Sequence, residues 1–121
     1  MRGRVVDHHI LLDVTFVLPD GSQVTREMVL DTGFVGTLTL PTSVVSSFNL
    51  PFLRRMPAKL ADGTSISTGV HLATVLWHGV KQNTELLALD DRPLLGMLML
   101  NGSEMNVRFE NGGPMELLEL P

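Results

Sequence analysis

The chain has no cysteine among its 121 residues, which excludes disulfides and thiolate-bound metals. It also lacks an apolar run that spans a bilayer: the longest, Pro93 to Leu100, falls far short of the roughly 20 residues a membrane helix needs. Met1-Arg2-Gly3-Arg4 leads to Asp7, His8 and His9, not to the apolar core of a secretory signal. Basic excess is missing too. The net charge is −4, and Arg54, Arg55 and nearby Lys59 form the one basic cluster, with no aromatic residue interleaved. Such a cluster reads as a solvated strand or loop, short of the basic field that nucleic acids demand. There are no internal repeats or low-complexity tracts, and no Gly-x-Ser-x-Gly, phosphate-binding glycine loop or dinucleotide fingerprint.

These absences predict a soluble, cytoplasmic protein with no cofactor, no nucleic-acid partner and no membrane partner. A metal is not expected either. His8 and His9 are neighbours and His71 and His78 lie seven apart, so on a strand the members of each pair point to opposite faces. With 44% apolar residues and positive mean hydropathy the chain is globular, and its length suits one domain over 1–121. The seven methionines read as core filler.

The hydrophobic pattern has a period of two. Ile10, Leu12, Val14, Phe16 and Leu18 alternate with His9, Asp13 and Thr15, which predicts a half-buried strand over 8–18. Pro19-Asp20-Gly21 turns the chain, and Ser22 to Leu30 returns as a second strand. Thr37 to Leu40 predicts a short strand and Pro41 to Phe48 one or two helical turns. Two extended segments flank Asp62-Gly63, a good hairpin dipeptide. The second, Ile66 to Trp77, is long and rich in small residues at its start, which suits a mobile flap or a plain sheet hairpin alike. His78-Gly79 predicts a turn, Glu85 to Leu89 a buried strand and Asp90-Asp91-Arg92-Pro93 a solvated loop. Leu94 to Leu100 reads as a short strand followed by a helical turn. Met105, Val107 and Phe109 alternate with polar residues, and Met115 to Leu120 is a last extended segment. Many short strands with turns every ten or so residues predict an all-β, barrel-like domain.

Asp31-Thr32-Gly33 stands out within this pattern. The apolar run Met28-Val29-Leu30 carries a carboxylate to the edge of the core, where glycine lets the backbone turn sharply. Asp20-Gly21 and Asp62-Gly63 follow Pro and Ala and read as exposed turns. A second element, Pro93-Leu94-Leu95-Gly96, lies farther along. Together the two elements resemble the retropepsin-like (clan AA) aspartic proteases, in particular the small prokaryotic branch with Asp-Thr-Gly-Phe at the site. Order and spacing match over about residues 8 to 110.

The resemblance implies a closed retropepsin-like β-barrel with one short helix, forming a two-fold homodimer. It implies that Asp31 is catalytic and that Thr32 and Gly33 support the active-site turn and the dimer. Leu94, Leu95 and Gly96 form the motif packed behind the site. Phe34, with Asp62, Gly63 and Thr64 of the hairpin tip, is expected to line the substrate pocket, and the terminal segments including Met115 to Leu120 to supply intersubunit sheet. Phe34 stands where retroviral members carry a small residue, and Leu98 replaces the acid common two places after the later glycine.

Hydrolysis by carboxylates needs two of them sharing one proton, and this chain has one such acid, so the pair requires Asp31 from two subunits. The expected activity is an aspartic endopeptidase acting on extended polypeptide. Two other readings fit the same residues: a catalytically idle retropepsin-like fold serving as a peptide-binding or dimerisation module, and a small β-domain in which Asp31 merely satisfies backbone donors at a tight turn.

Overall fold

The computed structural model describes residues 1–90 and 92–121, and it contains ten strands and two short helices. β1 (Arg2–Val6), β2 (His9–Val17) and β3 (Gln23–Leu30) form an antiparallel meander. β4 (Leu38–Leu40) and α1 (Thr42–Ser47) follow, then the long arms β5 (Phe52–Lys59), β6 (Ser65–Trp77) and β7 (Val80–Ala88). β8 (Leu94–Leu95), α2 (Met97–Leu100), β9 (Ser103–Val107) and β10 (Pro114–Glu119) complete the chain. No helix among the described residues is long and apolar enough to cross a membrane.

The strands join in the order β5-β6-β7-β4-β8-β3-β2-β1-β10-β9, with an added β6–β2 pairing at Thr15↔Leu76 and Phe16↔Val75. That pairing links β2, β3, β8, β4, β7 and β6 in a continuous circuit around the core. The period of two on β2 is realised as expected: Leu12, Val14 and Phe16 are buried. They pack with Met28, Leu38, Leu40, Val75, Leu86, Leu95 and Met99, and the Phe16 and Phe48 rings meet at 5.7 Å.

β1 has no counterpart in the sequence reading. Arg2-Gly3-Arg4 hides it, because only Val5 among its residues is fully buried. Gly3 is required there: a Cβ at that position would lie 1.9 Å from the Leu11 carbonyl oxygen of the neighbouring strand. The turn from β1 to β2 uses Asp7 (φ 48°) and His8 (φ 66°), left-handed residues with no glycine to announce them. β7 begins at Val80, well before the expected Glu85, since its first half is polar and exposed. α2, a single turn, is the helical turn expected after the short strand at Leu94.

β10 pairs with β1 through Pro114, Met115 and Glu116 and with β9 through residues 115–119, while the Met1 ammonium donates to the Leu117 carbonyl. Over Met115 to Leu117 both edges of β10 are used within the chain. The sheet's two outer strands are β5 and β9.

Candidate active site

Asp31 is the first residue beyond β3, and β8 fixes its backbone. This two-residue strand threads between β3 and β4, parallel to the first (Val29↔Leu94, Leu30↔Leu95) and antiparallel to the second (Leu38↔Leu95). The Val29 N–H donates to the Pro93 carbonyl at 2.7 Å and the Asp31 N–H to the Leu95 carbonyl at 2.9 Å. Thr39, fully buried, ties the same strand from the other side. Its hydroxyl accepts from the Leu94 N–H at 3.0 Å and donates to the Arg92 carbonyl at 3.3 Å. Sequence reasoning passed over Thr39. A polar residue between Leu38 and Leu40 on an otherwise apolar strand was the available signal.

The turn after Asp31 closes on itself and on α2. The Gly33 N–H donates to Asp31 Oδ1 at 2.9 Å and the Phe34 N–H to the Asp31 carbonyl at 3.1 Å. The Gly96 N–H reaches the Thr37 carbonyl at 2.8 Å, Met97 N–H the Phe34 carbonyl at 2.8 Å and Leu98 N–H the Gly36 carbonyl at 3.2 Å. Leu94, Leu95 and Gly96 thus lie directly behind the turn. Gly96 has no room for a side chain: a Cβ would sit 2.2 Å from the Gly36 carbonyl oxygen and 2.7 Å from that of Phe34.

The carboxylate-to-N–H bond two residues on recurs at Asp20, which accepts from Ser22, and at Asp62, which accepts from Thr64. In those two turns the Ser22 and Thr64 hydroxyls also donate to the acid, and this first, then the backbone bond, holds each carboxyl below the usual range. Asp31 differs in its surroundings. It is half-buried, and its turn is clamped by a strand from the far end of the chain.

Asp31 and Thr32 border a cleft of about 580 Å³, whose other walls are the β1–β2 turn (Asp7 to His9) and the β9–β10 loop (Phe109 to Asn111). Phe34 is not among its lining residues. The Phe34 ring folds onto the loop, where Cβ atoms at Gly36 and Gly96 would meet it at 2.5 and 2.6 Å. Asp62, Gly63 and Thr64 do not border the cleft either; they form the tip of the β5–β6 hairpin, closed by Leu60 and Thr64 backbone bonds. His9 borders the cleft, with Nδ1 against the Asp7 carbonyl at 2.8 Å and Nε2 against the Arg92 guanidinium. Both sides of that histidine are engaged.

The remaining charged candidates have structural tasks. Asp90, expected in a solvated loop, accepts the Thr42 N–H at 2.8 Å at the start of α1, and that bond lowers its carboxyl pKa. Asp91 lies outside the described residues. Arg54 forks onto both Glu85 oxygens at 2.9 and 2.6 Å, and Arg55 holds Ser67. No group of three or more His, Asp or Glu side chains suited to a metal occurs among the described residues.

No family model matches the chain, and no curated protein matches it. Among solved structures, it is similar to a retropepsin-like aspartic protease from Rickettsia conorii. The TM-score is 0.53 at 16% identity, over 99% of this chain and 92% of the other. With ten strands among its described residues and this likeness over nearly its whole length, the chain has a mostly β, retropepsin-like fold.

Proposed function

We propose that the protein is an aspartic endopeptidase whose catalytic pair is Asp31 from each of two subunits of a homodimer. The observation that carries this reading is the clamp on Asp31: one half-buried acid, at a core edge beside a cleft, held by backbone bonds to β8. A turn that only reversed the chain has no need of that brace, as Asp20 and Asp62 illustrate.

Two such carboxylates meeting on a two-fold axis share one proton, because both cannot ionise at close range. The ionised member takes a proton from water as the water oxygen bonds to the peptide carbonyl carbon. The protonated member gives its proton to the carbonyl oxygen. Collapse of the resulting diol returns a proton to the amide nitrogen, breaks the C–N bond and releases an amine and an acid. Thr32 and Gly33 hold the two turns together, and the carbonyl and N–H groups of an extended peptide pair beside them. The barrel-like circuit of strands gives both turns a rigid base.

The test is cleavage of a mixed peptide library by wild type and Asp31→Asn, with and without a transition-state-mimicking hydroxyl inhibitor. Inhibitor-sensitive cleavage lost in the variant supports the reading. A folded, dimeric wild type that cleaves nothing turns the assignment to an idle peptide-binding module.

A further inference from the structure

We propose that His9, as the neutral imidazole with its hydrogen on Nδ1, is a positioning residue for Asp31: it ties the wall of the cleft to the segment that enters β8. The inference rests on the reading of Asp31 as the catalytic acid. It adds a residue that acts through another.

The state of the ring follows from its two neighbours. The Asp7 carbonyl oxygen, 2.8 Å from Nδ1, can only accept, and the Arg92 guanidinium against Nε2 can only donate. Nδ1 must therefore carry the hydrogen while Nε2 presents its lone pair. In the cation and in the other tautomer alike, an N–H faces an N–H.

His9 is the middle link of a path through the walls of the cleft. On one side the Asp7 N–H donates to Asn111 Oδ1 at 3.1 Å, so the β1–β2 turn also holds the β9–β10 loop. On the other side the Arg92 carbonyl accepts from the Thr39 hydroxyl at 3.3 Å and the Pro93 carbonyl from the Val29 N–H at 2.7 Å. Leu95, two residues on, takes the Asp31 N–H. Arg92 is gripped by its side chain from the cleft and by its carbonyl from β4, where the chain turns into β8. His9 and Arg92 also border, with Asp31, a second hollow, so the pair flanks the acid.

The charged groups facing His9 are Asp7 and His8 of its own turn, Asp31, Glu110 of the β9–β10 loop and Arg92. Among the links of the path, the imidazole alone is of a kind that changes charge between about pH 5 and 8. A second ring proton can go only to Nε2, where it replaces the acceptor of Arg92 with a like charge. Neutral His9 braces the entry to β8, and protonated His9 releases it.

The test is NMR of the His9 ring nitrogens and amide hydrogen exchange on wild type, His9→Gln and His9→Ala, from about pH 7.5 to about pH 5.5, a span above the carboxyl range. At the upper pH the ring is expected to be neutral with its hydrogen on Nδ1; a hydrogen on Nε2 overturns the inference. Protection of the Val29, Asp31 and Leu94 amides is expected to drop about tenfold in wild type as pH falls, the scale of one lost hydrogen bond. His9→Ala shows the lowered protection at both ends of the span. His9→Gln, whose amide supplies a donor and an acceptor without titrating, keeps the upper value throughout. Wild-type protection that stays flat overturns the inference, as does an alanine variant with wild-type protection or a glutamine variant as loose as alanine. If His9→Ala fails to fold, wild type and His9→Gln decide between them. Where peptide is cleaved, His9→Ala lowers kcat by about tenfold with KM unchanged. The two readings fail separately. A wild type that cleaves nothing yet shows the expected tautomer and exchange keeps the brace and discards the peptidase. Cleavage with unchanged kcat and exchange in His9→Ala keeps the peptidase and discards the brace.

Discussion

The Asp31 N–H donates to the carbonyl of Leu95, 64 positions later, at 2.9 Å. Through this bond the candidate catalytic residue takes its position from β8, so its side chain depends on the integrity of a strand of two residues.

Asp31→Asn is expected to lower turnover by about a thousandfold or more, the scale of general acid–base assistance, while fold and dimer persist. The amide accepts the Gly33 N–H as the acid does. Asp20→Asn, in a turn with the same bond, serves as the control and should keep wild-type turnover. Near-normal turnover in Asp31→Asn contradicts the assignment.

Specific activity should fall on dilution through the dimer dissociation range, because one chain contributes one acid. Parallel assays and sedimentation measure this. Hydrolysis by a species shown to be monomeric is the contrary result.

Gly96→Ala should destabilise the fold by about 2–3 kcal/mol, the cost of overpacking against atoms that cannot yield. Its Cβ meets backbone oxygens of Phe34 and Gly36, not a flexible side chain. Thermal melts read the loss. An unchanged Tm contradicts the packing described.

Phe34→Ala should lower stability by about 1–2 kcal/mol, a reduced cavity cost because the ring is half-buried. Since the ring rests on Gly36 and Gly96 and does not line the cleft, we expect kcat to fall with cleavage preference unaltered. A shifted preference on a peptide library returns Phe34 to the substrate pocket.

Acid should weaken the fold. Glu85 is lowered by the Arg54 hydrogen bond, Asp20 and Asp62 by the Ser22 and Thr64 hydroxyls, and Asp90 by the Thr42 N–H. A carboxyl lowered in the folded state stabilises it fully above the ordinary pKa, 3.8 for Asp and 4.5 for Glu, and that contribution disappears as pH falls through the folded value. The Tm should therefore drop on the acid side of this range. Activity of a proton-sharing pair should decline as pH rises toward alkaline values, leaving an optimum between the two limits. A rate still climbing at alkaline pH indicates another chemistry.

The sequence revealed what local pattern can encode. The alternation along β2, the hairpin turns at Asp20-Gly21, Asp62-Gly63 and His78-Gly79, and the run into Asp31 each carry a signature within a few residues. Bonds between distant segments leave none. Thr39 with Leu94 and Arg92, Asp90 with Thr42, and β1 between β2 and β10 are satisfied only after folding. The β1–β2 turn escaped notice because Asp7 and His8 take up left-handed conformations without glycine. The walls of the cleft were equally hidden, since Phe109 to Asn111 reach Asp31 through β10 and β1.

The late position of β8 also separates the appearance of the Asp31 turn from its bracing in time. A nascent chain that has emerged only as far as residue 92 already has its Asp-Thr-Gly turn, yet the amides of Val29 and Asp31 have no acceptor and the groove between β3 and β4 stands open. Insertion of Leu94 and Leu95 locks the turn, and contacts of such long sequence separation form late. A chain stopped at residue 92 is thus left with an Asp31 turn that β8 does not brace.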